Sequence, residues 1–146
     1  MIFRFFKYVL GILVGIPLTM SGQESPSGGV SLIGGDFLIS FKLYSGSAAA
    51  TKREKTIAGQ PFSKVAELST HKETSNFWGA EYSTPLTRPV EKGGVALLRF
   101  YLRCTSSQNA DGTGVVQAYC QKASPDWDKS VSQQIVIGNQ WKEFLI

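Results

Sequence analysis

Alternating apolar and polar residues predict that this chain is built from β-strands. The longest such run is Gly94 to Arg103. Side chains of a strand point alternately to its two faces, so the run separates into an apolar and a polar set. The apolar set is Leu98, Phe100 and Leu102, and the polar set is Arg99, Tyr101 and Arg103. The first set is predicted to face a core, and the second to face away from it.

A second run, Val115 to Gln121, divides in the same way. Its apolar positions are Val116, Ala118 and Cys120, and its polar positions are Gln117, Tyr119 and Gln121. If the two runs share a sheet, their polar faces form one surface rich in Arg, Tyr and Gln. Tyrosine rings stack on sugars, and the other side chains bond sugar hydroxyls. The pattern thus suits a sugar-binding face; the alternative is that a loop covers it and the tyrosines only pack at the edge of the core.

Several further runs, with less regular alternation, complete the predicted set of strands. They are Val30 to Tyr44, Phe62 to Thr70, Asn76 to Ser83, Val131 to Ile137 and Trp141 to Ile146. Within them, Trp78 is expected to be buried and Trp141 to pack in the core or at its edge. Short strands joined by Gly, Pro and Asn loops, with no amphipathic helix, predict an all-β β-sandwich or jelly roll. The apolar pattern runs on to Ile146, which predicts a domain, residues 30–146, that is truncated at its C-terminus.

The first 22 residues have the pattern of a signal peptide. Arg4 and Lys7 supply the positive region, Val9 to Leu18 is apolar, and small residues follow at Thr19, Ser21 and Gly22. Residues 23–29 are rich in Ser, Gly and Pro, which predicts a flexible spacer. The alternative is a leader retained as an N-terminal anchor. Both interpretations place the domain outside the cytoplasm.

Composition and charge favour a globular domain and argue against nucleic-acid binding. Of 146 residues, 42% are hydrophobic and 12% aromatic, enough for a packed core. The net charge of +4 falls to +2, 13 basic against 11 acidic residues, without the basic residues of the leader. No basic run exceeds two adjacent residues, so the electrostatic pattern of a nucleic-acid groove is missing.

Cys104 and Cys120 follow the apolar faces of their strands, so both thiols are expected to point into the core. A hairpin centred on Gly112 would place the two residues opposite each other. In an exported chain they can then form a disulfide. Two buried free cysteines that act as small apolar groups are the alternative.

Candidate catalytic residues are few. The chain has one histidine, His71, in a polar stretch that predicts an ordinary surface residue, and it has no Gly-x-Ser-x-Gly elbow or paired-histidine metal spacing. Asp126 and Asp128 flank Trp127 in a loop, where carboxylates can cap a turn or contact a structural calcium ion. Trp127 is a candidate for stacking at the rim of a sugar site. These residues predict a chain that binds without catalysis.

Six short motifs, in this order, resemble the carbohydrate-binding-like, galactose-binding-type jelly rolls of secreted bacterial xylanases and related polysaccharide-degrading enzymes. They are Gly-Gln-Pro-Phe (Gly59 to Phe62), Asn76-x-Trp78, Pro-Val-x-Lys-Gly (Pro89 to Gly93), Leu97 to Arg103, Lys129-Ser130 and Gly-x-x-Trp-Lys-x-Phe (Gly138 to Phe144). The likeness covers roughly residues 31–146. Gly93-Gly94 departs from it, because related sequences usually have Gly-Asp at this turn.

The resemblance implies a non-catalytic module that binds xylan or another β-glycan on a concave face and serves a covalently attached hydrolase or esterase. By position, the implied binding residues are Arg99, Tyr101, Arg103, Gln117, Tyr119, Gln121 and Trp127. The implied location is secreted, periplasmic or at the surface of a bacterium, with no nucleic-acid partner and no membrane contact after the leader is cleaved. The alternative function is a structural or docking β-sandwich without a glycan ligand.

Overall fold

The computed structural model describes residues 2–5, 9–15, 29–73, 78–122 and 125–146. The described chain forms two five-stranded antiparallel sheets and one short α-helix. The prediction of an all-β protein is therefore confirmed.

The first sheet contains five strands, and every neighbouring pair is antiparallel. In spatial order they are β3 (Lys42–Tyr44), β6 (Glu81–Ser83), β1 (Ile2–Phe5), β8 (Gly114–Gln121) and β9 (Lys129–Ile137). Strand β8 lies between β1 and β9, so both of its edges are hydrogen-bonded.

The second sheet is also antiparallel throughout. Its spatial order is β10 (Lys142–Leu145), β7 (Arg99–Ser107), β2 (Val9–Gly15), β5 (Lys64–Ser69) and β4 (Thr51–Thr56). Strand β7, the predicted run from Gly94 to Arg103, thus begins five residues later than the pattern indicates. Before it, Leu98 exchanges two backbone hydrogen bonds with Ile146, of 2.8 and 3.0 Å.

The core takes buried side chains from both sheets. Its members on the long strands are Ala66, Leu68, Phe100, Leu102, Cys104, Val116, Ala118, Ile135 and Ile137. Removing a Leu, Phe or Ile side chain of this kind from water contributes about 1.5–3 kcal/mol. The apolar faces predicted for β7 and β8 are confirmed up to Ala118, because period-2 alternation follows directly from the pleat.

Strands β7 and β8 do not form a hairpin, so the expectation that they share a sheet is not met. They belong to different sheets, and their apolar faces meet in the core. The connecting loop is polar and internally bonded: the Asn109 side-chain amide donates to the Thr113 carbonyl at 2.8 Å, and Asp111 accepts from the Thr113 amide at 2.9 Å. A loop of this length can pass from one sheet to the other, whereas a two-residue turn would hold the strands together.

The prediction of one strand from Val30 to Tyr44 is wrong up to residue 41, and only β3 (Lys42–Tyr44) at its end is a strand. A helical turn, α1 (Phe37–Ser40), begins after Asp36, whose carboxylate accepts from the Leu38 amide at 2.9 Å. The turn buries Phe37 and Phe41, four residues apart, and leaves Ile39 68% exposed. Apolar residues at every second position mimicked a strand, but an N-capping aspartate at the start favoured a helix.

The N-terminal segment contributes an inner strand to each sheet, β1 and β2. The predicted cleavage region and residues 23–28 of the predicted spacer lie outside the described residues. The assignment of a signal peptide therefore stays a prediction. No helix in the described ranges is both long and apolar enough to span a membrane.

Candidate functional site

The predicted polar face of β7 is present and lies on the outer side of the second sheet. Arg99, Tyr101 and Arg103 alternate with the buried Phe100 and Leu102 and are each partly exposed. The edge strand β10 pairs with β7 and places Glu143 opposite Tyr101. Residues directly opposite in an antiparallel pair share a face, so these four polar side chains form one surface.

Glu143 is the centre of a hydrogen-bonded group on this surface. The Arg99 guanidinium donates to Glu143 Oε1 in an ion pair, and the Tyr101 hydroxyl donates to the same oxygen at 2.6 Å. Arg99 Nη2 also lies 3.4 Å from the Tyr101 oxygen. The Tyr101 hydrogen bond, followed by that of Arg99, lowers the pKa of Glu143 below its usual value. Burial, followed by the bond to Glu143, raises the pKa of Tyr101.

Three aromatic rings pack together at this surface. Phe62, from the loop between β4 and β5, packs against Tyr101 and Trp141, with both pairs of ring centroids 5.0 Å apart. Phe62 is buried, whereas Tyr101 and Trp141 keep partly exposed edges. The Arg103 guanidinium lies 5.4 Å from the centre of the Trp141 ring, in a cation–π contact. We call Arg99, Tyr101, Arg103, Trp141 and Glu143 the β7–β10 surface.

Strands β5 and β4, beyond β2 in the same sheet, extend this side of the sheet with further charged residues. Lys55 Nζ lies 2.7 Å from Glu67 Oε1, and Arg53 stands opposite Glu67 in the register. Across the described part of the chain, no ion pair engages Arg53 or Arg103, while Glu67 and Glu143 each have a basic partner. This side of the molecule is therefore net positive.

The second half of the predicted surface lies elsewhere. Gln117, Tyr119 and Gln121 are on β8, in the first sheet, so the structure does not bring them together with the β7 residues. Tyr119 is fully buried; its hydroxyl donates to Glu81 Oε2 at 3.1 Å, and Lys129 Nζ lies 5.5 Å from its ring centre. The Gln117 amide donates to Ser132 Oγ at 2.8 Å. A ring without exposed area cannot stack on a sugar, so Tyr119 does not fit the role expected of it.

Trp127 is 55% exposed, in the loop between β8 and β9 of the first sheet. It has a positive φ of 53°, which is uncommon for a residue with a side chain. Asp126 and Asp128 each lie 3.6 Å from Lys122 Nζ. Within the described ranges, no three acidic, histidine or cysteine residues group together as a metal site would need. The calcium contact stays a prediction.

The two cysteines are free. Cys104 is buried in the core as predicted, and burial raises the pKa of its thiol. Cys120 is only half-buried and is not among the buried core residues. The strands that carry them lie in different sheets, and the hairpin that would have aligned them does not form.

Sequence reasoning missed Glu143 and Phe62 and underrated Trp141. Trp141, Glu143 and Leu145 alternate with Lys142 and Phe144, a period-2 signal that was readable. The pairing of β10 with β7 was not readable, because it joins residues more than 40 positions apart. Trp78, expected to be buried with Ala80 and Tyr82, is 48% exposed, because β6 begins only at Glu81.

Removing the hydroxyl from each of two fully buried tyrosines is expected to change the free energy of unfolding in opposite directions. Among the residues that the structure describes, the Tyr82 hydroxyl has no hydrogen-bond partner, whereas the Tyr119 hydroxyl donates to Glu81. Tyr82→Phe should raise the free energy of unfolding by about 1 kcal/mol, because it removes an unsatisfied buried group. Tyr119→Phe should lower it by a similar amount. Urea unfolding of both variants and the wild type measures the two changes in the free energy of unfolding. Changes of the same sign would contradict the hydrogen bonding described for the two hydroxyls.

Stability is expected to fall in acid partly through Glu143. Its pKa is lowered in the folded protein from an ordinary value of 4.5. The carboxylate therefore stabilises the fold above that pH, and this contribution is lost as the pH falls through the lowered pKa. Urea unfolding from pH 7 to pH 3 should show a shallower acid loss for Glu143→Gln than for the wild type. Glu91→Gln, at an exposed turn, is the matched control, and identical slopes for Glu143→Gln and the wild type would refute the prediction.

Comparison with known proteins gives no relative: no family model matches the chain, and neither the curated proteins nor the solved structures contain a match.

Proposed function

We propose that this chain is a non-catalytic carbohydrate-binding module whose binding face is the β7–β10 surface. The observation that carries the proposal is the grouping of two partly exposed aromatic rings, Tyr101 and Trp141, with two arginines and a carboxylate on the outer side of one sheet. Aromatic edges and faces take the apolar side of a sugar ring, and charged groups bond its hydroxyls with direction.

The hydrogen bonds within the surface leave capacity for a ligand. Arg99 and Tyr101 both bond to the Glu143 carboxylate. Both contacts with Glu143 go to Oε1, so Oε2 can accept from a sugar hydroxyl. The bonds among these side chains also hold them in place before binding, which lowers the entropy lost on association.

The wider biological setting is part of the same proposal and rests on the sequence. The leader pattern supports export, and the resemblance of residues 31–146 supports a jelly-roll topology, a β-glycan such as xylan, and a covalently attached hydrolase or esterase in a bacterium. His71 is exposed, and its Nε2 lies 3.0 Å from Thr51 Oγ1. Among the described residues, it does not form a group that resembles a catalytic dyad.

The test is a depletion assay of the full chain on insoluble xylan, cellulose, mannan and chitin. Trp141→Ala should weaken binding to the retained glycan about tenfold, the effect expected for loss of one stacking ring. Trp127→Ala removes a more exposed tryptophan, in a loop beside the first sheet, and should leave binding unchanged. Near-UV circular dichroism checks that each variant is folded. Equal retention of Trp141→Ala and the wild type would overturn the proposed face.

A docking domain is the second candidate, because apolar side chains are exposed beside the β7–β10 surface. Val95 is 97% exposed, Leu97 57% and Leu145 50%. Such a strip can pack against a neighbouring domain. A folded chain that binds none of the four polysaccharides would favour docking over glycan binding.

A further inference from the structure

Both sheets contain, as an inner strand, a piece of the same short N-terminal segment. Strand β1 pairs with β6 on one side and β8 on the other, and strand β2 pairs with β5 and β7. Only residues 6–8 separate β1 from β2 along the chain. Residues 2–5 and 9–15 of one short segment thus complete the two sheets.

The strands on either side of β1 and β2 cannot pair with each other in the observed arrangement. Strands β5 and β7 are both antiparallel to β2, so they run parallel to each other, and the same argument applies to β6 and β8. With a strand spacing of about 4.8 Å, flanking strands stand roughly 10 Å apart, too far for hydrogen bonds. Without residues 2–15, each sheet would therefore contain a gap one strand wide.

The register across both gaps is defined on each side. Ile12 pairs with Leu68 and Cys104, and Gly15 pairs with Val65 and Tyr101. In the first sheet, Phe3 pairs with Tyr82 and with Ala118. The partners Leu68, Cys104, Tyr82 and Ala118 are core residues, so the gaps pass through the centre of the fold and not along its rim.

We infer that residues 29–146 form a strand acceptor with two slots, and that residues 2–15 of this same chain are the segment that fills them. The inference goes beyond the proposed glycan site and does not depend on it. Backbone groups left unpaired at buried positions cost about 1–3 kcal/mol each, so empty slots would strongly destabilise the domain. A segment that adds a strand to both sheets satisfies those groups by β-augmentation. The segment is then part of the folded domain, so this inference competes with the prediction of a cleaved leader on which the export setting rests, while the proposed glycan site depends on neither.

The pairing of β2 with β7 also supports the geometry of the β7–β10 surface. Strand β7, which carries Arg99, Tyr101 and Arg103, has β10 on one edge and β2 on the other. Leu13 and Gly15 of β2 stand opposite Arg103 and Tyr101 in the register. Residues 2–15 therefore hold the strand that presents most of this surface.

The experiment uses the full chain with a site-specific protease recognition sequence inserted between Gly22 and Gly29. The protein is folded, cut, and passed over a size-exclusion column under native conditions, and mass spectrometry identifies the components of the peak. We expect the N-terminal fragment to elute with residues 29–146 at the size of one copy. Ile12→Pro removes a backbone donor within β2 and should release the fragment, whereas Ile12→Val should not.

Two results would overturn the inference. One is a fragment that separates while residues 29–146 keep their near-UV circular dichroism, because the segment is then dispensable. The other is a dimer in which two copies exchange their segments, because the slots are then not filled within one chain.

Hydrogen exchange on the uncut chain gives an independent readout that needs no variant. Amides of residues 12–14 should be protected as strongly as those of Phe100 to Cys104 on β7. Fast exchange at 12–14 beside slow exchange on β7 would also refute the inference. Glycan binding is not measured in either experiment, so this inference and the proposed function can fail separately.

Discussion

Replacing Phe100 by alanine is expected to destabilise the domain by about 3–5 kcal/mol, the range for truncating a buried phenylalanine. Phe100 has no exposed area, and it stacks on Phe144 with ring centroids 5.6 Å apart and an interplanar angle of 19°. The two residues are also direct partners in the pairing of β7 with β10. Truncation leaves a cavity and removes the main apolar contact that holds the edge strand.

Urea unfolding of Phe100→Ala and the wild type measures this loss. Leu145→Ala is the matched control, because Leu145 lies on the same edge strand but is 50% exposed. Its effect should stay within about 0.5–1 kcal/mol. A loss below about 1.5 kcal/mol for Phe100→Ala would contradict a close-packed core at this position. Since β10 carries Glu143 and directly follows Trp141, Phe100→Ala should reduce glycan retention if the proposed face is the binding face.

Replacing Gly46 by alanine is expected to be the second most damaging change, at about 2–5 kcal/mol. Gly46 has a positive φ of 43°, which costs any residue with a side chain. A Cβ there would also lie 2.5 Å from the Gly79 carbonyl oxygen and 2.9 Å from the Tyr44 ring. The same oxygen accepts a hydrogen bond of 3.0 Å from the Ala48 amide, so it is not free to move away.

Gly112→Ala separates the two causes. Gly112 also has a positive φ, of 70°, but a Cβ there would have no atom within 4 Å. It should therefore cost only the backbone strain, about 1–2 kcal/mol. Thermal or urea unfolding of the two variants gives the difference, which measures the steric contact at Gly79. Equal losses at the two glycines would show that this contact relaxes without cost.

The β7–β10 surface links stability to the proposed function because its parts come from separate regions of the chain. Arg99, Tyr101 and Arg103 lie on an inner strand, and Glu143 lies on an edge strand directly after Trp141. Phe62 supports them from a loop. The edge strand is held to the core by Phe144 and to the surface by the Arg99–Glu143 ion pair. Changes to either contact should affect the binding face before they unfold the domain.

Local patterns predicted the strands well and failed where local and tertiary signals compete. Strands β8, β9 and β10 lie within two residues of their predicted bounds, because alternation reflects the pleat of each strand alone. The same alternation from Phe37 to Leu43 was misleading, because the capping carboxylate of Asp36 favoured a helical turn. Trp78 was placed in the core by extending a strand beyond its true start.

The part of the candidate site on β7 could be predicted from the sequence, and the part contributed by other strands could not. Arg99, Tyr101 and Arg103 share a face because they alternate on one strand. Whether Tyr119 joins them depends on which strands are neighbours, and that is decided by contacts between residues distant in sequence. The loop from Ser107 to Gly114 carries β8 into the other sheet, so Tyr119 is buried against Glu81 instead of lying beside Tyr101.

By itself, then, the sequence determined the all-β class, the inward faces of β7 and β8 and the polar outward face of β7, because side-chain direction in a strand needs no information beyond the strand. Only the tertiary structure decided the sheet that each strand joins, the contact of Glu143 and Trp141 with β7, and the place of β1 and β2 inside the two sheets. Strand pairing is set by hydrogen bonds and packing between distant segments. Alternation along one segment does not indicate which strands will lie next to it.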